Sequence, residues 1–156
     1  MIAMHALVGS FLTGFLHPIT GIDHILAMLA VGIWSVRAGG GRALWVWPTA
    51  FVSMMLGGFI AAVAGFSLPW ASAGIFSSII VLALMIALAV RPPVWLGAVI
   101  VGLFAFFHGH AHGTEAVAAS LPLYAAGFAL ATAALHAIGI GFAIAGQRSF
   151  GMSALT

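Results

Sequence analysis

Long apolar runs, separated by short breaks that contain glycine, proline or arginine, follow one another along the whole chain. Runs of this length are typical of transmembrane helices, and they lack the strict alternation of a transmembrane β-barrel. The first run, residues 1–16, would form a helix of about 14 residues, fewer than the roughly 20 that a bilayer crossing needs. Because it has no positive n-region, two interpretations stay open: a short first helix of half-helix length, or the start of a mature chain whose signal was removed.

The later breaks divide the rest of the chain into five longer helices. Turn residues and arginines mark the ends of these helices, as in the segments 37–42 and 91–93. We predict helices at about residues 20–36, 44–65, 71–90, 94–119 and 121–146. The predicted fold class is therefore an all-α polytopic integral membrane protein. It is a bundle of about six hydrophobic helices with five or six spans, in a single transmembrane domain over residues 1–156.

Small residues recur every four positions on two of these helices. Gly57, Ala61 and Gly65 do so on the third helix, and a row from Ala125 to Ala145 does so on the sixth. Such faces allow close helix contact, either inside one molecule or between copies of it. The sequence therefore leaves a homo-oligomer open.

The composition excludes several classes of protein. Only 4% of the residues are charged and 64% are hydrophobic, whereas a soluble domain carries about 25% charged residues. The four arginines form no basic patch, so we expect membrane lipid as a partner and not nucleic acid. The absence of cysteine excludes disulfide bonds and thiolate metal sites.

All four arginines fall on one side of the predicted bundle. They lie in the loops beside the second, third and fifth helices and after the sixth, at Arg37, Arg42, Arg91 and Arg148. The positive-inside rule makes this side cytoplasmic. We therefore expect a multi-pass protein whose C-terminus is cytoplasmic.

Titratable side chains concentrate in two stretches of the chain. Residues 107–115 read Phe-His-Gly-His-Ala-His-Gly-Thr-Glu, and residues 17–24 read His-Pro-Ile-Thr-Gly-Ile-Asp-His. The two acidic residues of the chain lie in these stretches, each close to histidine. The orientation set by the arginines places both stretches in the outer half of the membrane. We therefore predict that they meet and bind a divalent metal ion.

Imidazole and carboxylate ligands together suit nickel, cobalt, zinc or iron. A charged side chain at membrane depth costs about 2.5–3.5 kcal/mol on insertion scales, and such side chains are usually functional. Two carboxylates would neutralise one divalent ion and lower the cost of holding it in an apolar site. The predicted ligands, not all bound at once, are His17, Asp23, His24, His108, His112 and Glu115.

Helical spacing divides the histidines of residues 107–115 between two faces of the helix. At about 100° per residue, His108, His112 and Glu115 share one helix face, and His110 points nearly opposite. We therefore expect His110 to support or pack rather than to bind. On the sixth helix His136, near mid-membrane, is a further ligand, a relay or a packing residue. The roles of His5 and Met28 also stay open.

A His/Asp/Glu cluster in a membrane also fits three different roles. An intramembrane zinc-dependent hydrolase would need an open coordination position and an unligated general base beside it. A haem-binding protein would use two facing histidines and neither acid. The simplest alternative is a hydrogen-bond network that joins helices, with Asp23 and His24 at a helix N-terminus.

The two stretches resemble the two motifs of the HupE/UreJ family. The family patterns H-x5-D-H and F-H-G-x-[A/V]-H-G-x-E match in full, and His110 falls on a variable position. The resemblance extends over essentially the whole chain. It implies a small protein of the bacterial inner membrane, an accessory of hydrogenase or urease, that takes up nickel and sometimes cobalt.

The same resemblance implies a transporter and not an enzyme, with no catalytic cofactor. The transported ion would be Ni²⁺, whereas the ligand set by itself also permits Co²⁺ or Zn²⁺. Many members carry a histidine near the mature N-terminus, a place that His5 would occupy here.

Overall fold

Six α-helices make up the described part of this computed structural model, which comprises residues 2–149. They are α1 (Ile2–Thr20), α2 (Ile22–Trp34), α3 (Ala43–Val63), α4 (Ala71–Ala87), α5 (Val94–Thr114) and α6 (Leu121–Ser149). A π-helical turn, Ser35–Gly39, follows α2 directly. No strand occurs between residues 2 and 149, and the predicted all-α class is confirmed.

The first helix is longer than the one predicted over residues 1–16. It has 19 residues and continues through Pro18, which lacks the N–H for a helical hydrogen bond. The Thr20 hydroxyl donates to the carbonyls of Leu16 and His17, about one turn back. The helix breaks instead at Gly21, which is extended (φ −87°, ψ 114°) and sets α1 at 77° to α2.

Three helices, α3, α5 and α6, are each long and apolar enough to cross a membrane. The bent pair of α1 and α2 passes the same test as one broken span, which raises the number to four within the described residues. The apolar helix α4 is shorter, with 17 residues. The chain is therefore a polytopic membrane protein. Length and composition give fewer spans than the five or six expected, because α1 and α2 meet at a bend and α4 is short.

Glycines allow α3 and α5 to pack side by side in the same direction. Gly97 of α5 lies against Trp47, and Gly109 lies against Met55, so residue numbers rise together along both helices. A Cβ atom on Gly109 would overlap the carbonyl oxygen of Met55, and the backbones are therefore in close contact.

The small-residue rows predicted from the sequence do not make the closest contacts. Gly57 and Gly141 have open space beside them. The close contacts are made instead by Gly58 on α3 and Gly139 on α6, each against the backbone of a neighbouring helix. Ala133, Ala137 and Gly141 of the α6 row are exposed and therefore open to lipid or to another copy of the chain, whereas Ala125 and Ala129 of the same row pack against the core.

Helix α6 packs against α3 in the opposite direction. Three successive contacts join Phe59 to Phe128, Met55 to Thr132 and Phe51 to His136. All six of these residues are buried, so this ladder forms the centre of the core. Large apolar side chains are exposed on every helix, as expected for a surface that contacts lipid.

The directions of the helices place the four arginines together at what we name the arginine end. Arg42 precedes α3, Arg91 precedes the parallel α5, and Arg148 lies in the last turn of the antiparallel α6. Arg37 lies in the π-helical turn just before the loop to α3. The predicted position of the C-terminus concerns residues 150–156, which lie outside the described residues.

Two buried tryptophans join the helices at the arginine end. The indole N–H of Trp34 donates to the carbonyl of Val90 at 3.0 Å, and that of Trp47 donates to the carbonyl of Val94 at 2.9 Å. The two indole rings are 4.4 Å apart between centroids. Both tryptophans are fully buried, and they hold the loop that contains Arg91.

Candidate metal centre

Three histidines from three helices converge at the end of the bundle opposite the arginines. His17 lies near the end of α1, His24 in the first turn of α2, and His112 near the end of α5. One ligand nitrogen from each lies within 4.8 Å of the other two. The ring centroids are 4.5 Å apart for His17 and His112, 4.9 Å for His24 and His112, and 5.5 Å for His17 and His24. The bend at Gly21 allows both histidines of the first stretch to face α5.

Asp23 holds the His24 ring through two hydrogen bonds. The Asp23 Oδ1 atom accepts from the His24 backbone N–H and from His24 Nδ1, both at 2.9 Å. With the proton on Nδ1, the lone pair of His24 lies on Nε2, which is buried and has no hydrogen-bond partner in the described chain. A Cβ atom on Gly21 would lie 2.9 Å from the same Asp23 oxygen, so glycine leaves room for this pair.

A fourth histidine, His108, lies one turn before His112 on α5. Its Nδ1 donates to the carbonyl of Phe104 at 3.0 Å, which leaves the lone pair on a buried Nε2, and its ring centroid is 5.1 Å from that of His24. The ring of His112 stacks on Phe128 at 4.5 Å, and neither of its nitrogens has a partner among residues 2–149. Since buried polar atoms are rarely left unbonded, these nitrogens are candidates for binding a ligand.

Glu115 lies just beyond the end of α5. The sequence predicted that this helix reaches about residue 119, but it ends at Thr114. The side chain of Glu115 is 61% exposed, and its Oε2 lies 3.3 Å from His17 Nε2. The other ring nitrogen of His17 lies 3.2 Å from the Tyr124 hydroxyl. Glu115 therefore approaches the histidines from solvent, whereas the sequence predicted that it shares their helix face.

An open cavity of about 380 Å³ leads to the histidines. Both acidic residues, Asp23 and Glu115, line it together with His17 and His24. Helix α4 completes the wall through residues such as Ser72. Carboxylates that line a cleft raise the local concentration of cations, so the cavity is suited to admit a metal ion.

The other histidines and Met28 do not belong to this group of three histidines. His110 points away from them as predicted, and its Nε2–H donates to the carbonyl of Phe66 at 2.7 Å. Met28 is a fully buried core residue of α2. His5 lies on an exposed part of α1. His136 is buried in α6, and neither of its ring nitrogens has a hydrogen-bond partner within the described residues.

Two aromatic residues belong to the site although helical spacing did not identify them. Tyr124 is 1% exposed, and its hydroxyl faces His17. Phe128, one turn later, stacks on His112 with only 9° between the ring planes. The available signal was the single tyrosine of the chain, but its partner lies 107 positions away.

The arrangement offers a transition metal nitrogens of His24, His108 and His112 that have no hydrogen-bond partner in the described chain. His17 would join them by giving up its contact with Glu115 or Tyr124. Zinc–nitrogen bonds are about 2.0–2.1 Å long, so nitrogens within 4.8 Å of one another need only small movements to share an ion. Asp23 and Glu115 contact two of these histidines, as carboxylates that orient metal ligands do. That either carboxylate binds the ion directly stays a prediction, and so does the set of six ligands as a whole.

Comparisons with known proteins cover both histidine stretches. The chain matches the family model described as HupE / UreJ protein over residues 2–155. It is 44% identical over 144 residues to Protein HupE of Rhizobium leguminosarum bv. viciae, which covers 89% of this chain and 75% of that protein. No solved structure matches the chain. Since the family match includes the cluster and all six helices, the chain belongs to the HupE / UreJ family.

Proposed function

We propose that this protein carries a divalent transition-metal ion across the membrane, with nickel as the first candidate and cobalt as the second. The observation that carries the proposal is the convergence of His17, His24 and His112, whose ligand nitrogens lie within 4.8 Å of one another beside an open cavity. Imidazole nitrogens suit nickel, cobalt and zinc alike. Resemblance to the HupE / UreJ family implies nickel uptake, and this favours nickel over zinc.

The geometry supports transport better than an intramembrane hydrolase. A zinc hydrolase needs a free general base beside an open coordination position. Each carboxylate of the chain already contacts a histidine of the cluster, Asp23 on His24 and Glu115 on His17. A haem site is disfavoured as well, because the imidazole rings pack directly on one another and leave no slot for a flat macrocycle.

The proposed direction of transport is from the cavity to the arginine end. By the positive-inside rule, the arginine end faces the cytoplasm of a bacterium and the cavity faces outward from the inner membrane. An ion would then enter where the two carboxylates lie and leave where the four arginines lie. The nickel would serve hydrogenase or urease, and the open small-residue faces would allow contact with lipid or with a second copy of the chain.

Uptake of labelled nickel into proteoliposomes tests the proposal. We expect the parent protein to accumulate nickel, with cobalt as a competitor, and His112→Ala to lose both binding and uptake. His5→Ala serves as the matched control, since His5 is an exposed histidine outside the cluster. A parent protein that accumulates no nickel but retains a tightly bound metal through purification would refute transport, and the hydrolase would become the first candidate.

A further inference from the structure

His136 lies in the core without a polar partner. Its side chain is 1% exposed, and neither ring nitrogen is hydrogen-bonded within the part of the chain that the structure describes. His110 is also buried, but its Nε2–H donates to the carbonyl of Phe66. A histidine kept for packing alone should satisfy its N–H in this way, because a buried unpaired donor destabilises the fold. The imidazole of His136 therefore has a nitrogen lone pair available to a ligand.

His136 lies farther from the cavity than the histidine cluster does. Its backbone carbonyl packs against α2 at Gly32, which is eight residues after His24. At about 1.5 Å per helical residue, this position is about 12 Å closer to the arginine end. His136 is therefore located between the cluster and the buried pair of Trp34 and Trp47.

The ring of Phe51 lies between the cluster and His136. Its centroid is 5.6 Å from the ring of His108 and 5.1 Å from the ring of His136. Phe51 is fully buried and contacts both rings. It therefore links His108, beside the cluster, to His136 in the interior of the bundle.

We infer that His136 forms an inner binding site for the transported divalent metal ion, which reaches it from the histidine cluster past Phe51. The inference rests on the proposed function. The nearby polar groups are neutral. Thr132, one turn before His136 on α6, has a hydroxyl that donates to the thioether sulfur of Met55, one turn after Phe51 on α3, at 3.6 Å. Both carboxylates of the chain line the cavity instead. Without a carboxylate, this site lacks the charge attraction that the cavity offers to an ion, and conduction requires a site that releases the ion again.

The variants His136→Leu and His136→Met form a matched pair, because their side chains have similar volumes and only methionine offers a metal-binding sulfur. Two quantities are measured on purified protein: the affinity for Ni²⁺ in detergent by calorimetry, and the initial rate of labelled Ni²⁺ uptake into proteoliposomes. We expect both variants to bind Ni²⁺ at the cluster with the affinity of the parent. Uptake should fall by at least about tenfold in His136→Leu and by less in His136→Met.

A packing control is Leu135→Ala, which removes a buried side chain from the adjacent position of α6 without removing a ligand. It should retain uptake. The inner site is refuted if His136→Leu transports at the parental rate, if it loses binding together with uptake, or if Leu135→Ala loses uptake as strongly. Absence of uptake by the parent would instead refute the proposed function, and that result is read before any variant is compared.

Discussion

Replacing Asp23 by alanine should weaken nickel binding without abolishing it. In the structure the carboxylate accepts two hydrogen bonds from His24, one from the backbone N–H and one from Nδ1, each at 2.9 Å. The second bond keeps the proton on Nδ1 and the lone pair on Nε2. Without the carboxylate, the His24 ring loses its fixed orientation and its preferred tautomer. Part of the binding free energy is then needed to orient the ring toward the ion.

The size of the loss follows from this contact. A hydrogen bond to a charged group contributes about 1.5–3 kcal/mol to stability. The side chain of Asp23 is 29% exposed, so water replaces part of the interaction and the lower value applies. A loss of about 1.5 kcal/mol in binding free energy corresponds to roughly tenfold weaker affinity. Asp23→Asn keeps an oxygen acceptor in the same place and should therefore lose less affinity than Asp23→Ala.

Calorimetric titration of the purified parent and of both variants with Ni²⁺ measures these affinities, and thermal unfolding in detergent checks that each variant is folded. Unchanged affinity in Asp23→Ala would refute the reasoning, since the bond to His24 would then contribute nothing to binding. A loss beyond about a thousandfold, roughly 4 kcal/mol, would also refute it. That outcome would show that Asp23 is itself a metal ligand, as the sequence predicted.

Three further predictions concern the cluster and the helix contacts. Nickel affinity should fall as the pH is lowered, because a protonated imidazole has no lone pair for a metal. Titration from neutral pH to the lowest pH at which the protein stays folded checks it, and an affinity that is independent of pH over the whole range would exclude imidazole ligands. Gly21→Ala should lower nickel affinity, because its Cβ would lie 2.9 Å from Asp23 Oδ1 and 3.0 Å from His24 Nδ1. Its Tm should change little, since a φ of −87° suits alanine. Parental affinity in this variant would show that Asp23 and His24 can move without loss of binding. Gly109→Ala should cost about 1–3 kcal/mol of stability in thermal unfolding, because its Cβ would overlap a carbonyl of α3. The control is Gly57→Ala, since Gly57 has open space beside it. Equal Tm values for the two variants would contradict the close packing of α3 and α5.

Hydropathy located the middle of every helix, but two helix ends depended on the folded structure. The first helix continues through Pro18 and breaks at Gly21, although proline is the stronger helix breaker in isolation. Such a residue is tolerated where neighbouring groups satisfy the backbone, a property of the assembled bundle. Helix α5 ends at Thr114 rather than near residue 119, and this end places Glu115 beside His17.

Periodicity related residues on one helix but not residues on different helices. It correctly indicated that His110 points away from the face of His108 and His112, because positions on one helix are related by about 3.6 residues per turn. It did not show that Gly58 rather than Gly57 contacts α5. In a helix that is apolar on all sides, no polar face distinguishes the side that meets protein from the side that meets lipid.

Local properties of the sequence were therefore sufficient for the helical membrane class, for the common side of the arginines and for the two stretches that carry the candidate ligands. Only the folded chain selected which atoms meet: Asp23 holds the ring of His24, His17 lies between Tyr124 and Glu115, and the ring of His136 packs against Phe51. The physical reason is that these contacts join distant helices. Their geometry depends on the bend between α1 and α2 and on close backbone approach at glycines, and no pattern within a single helix contains either.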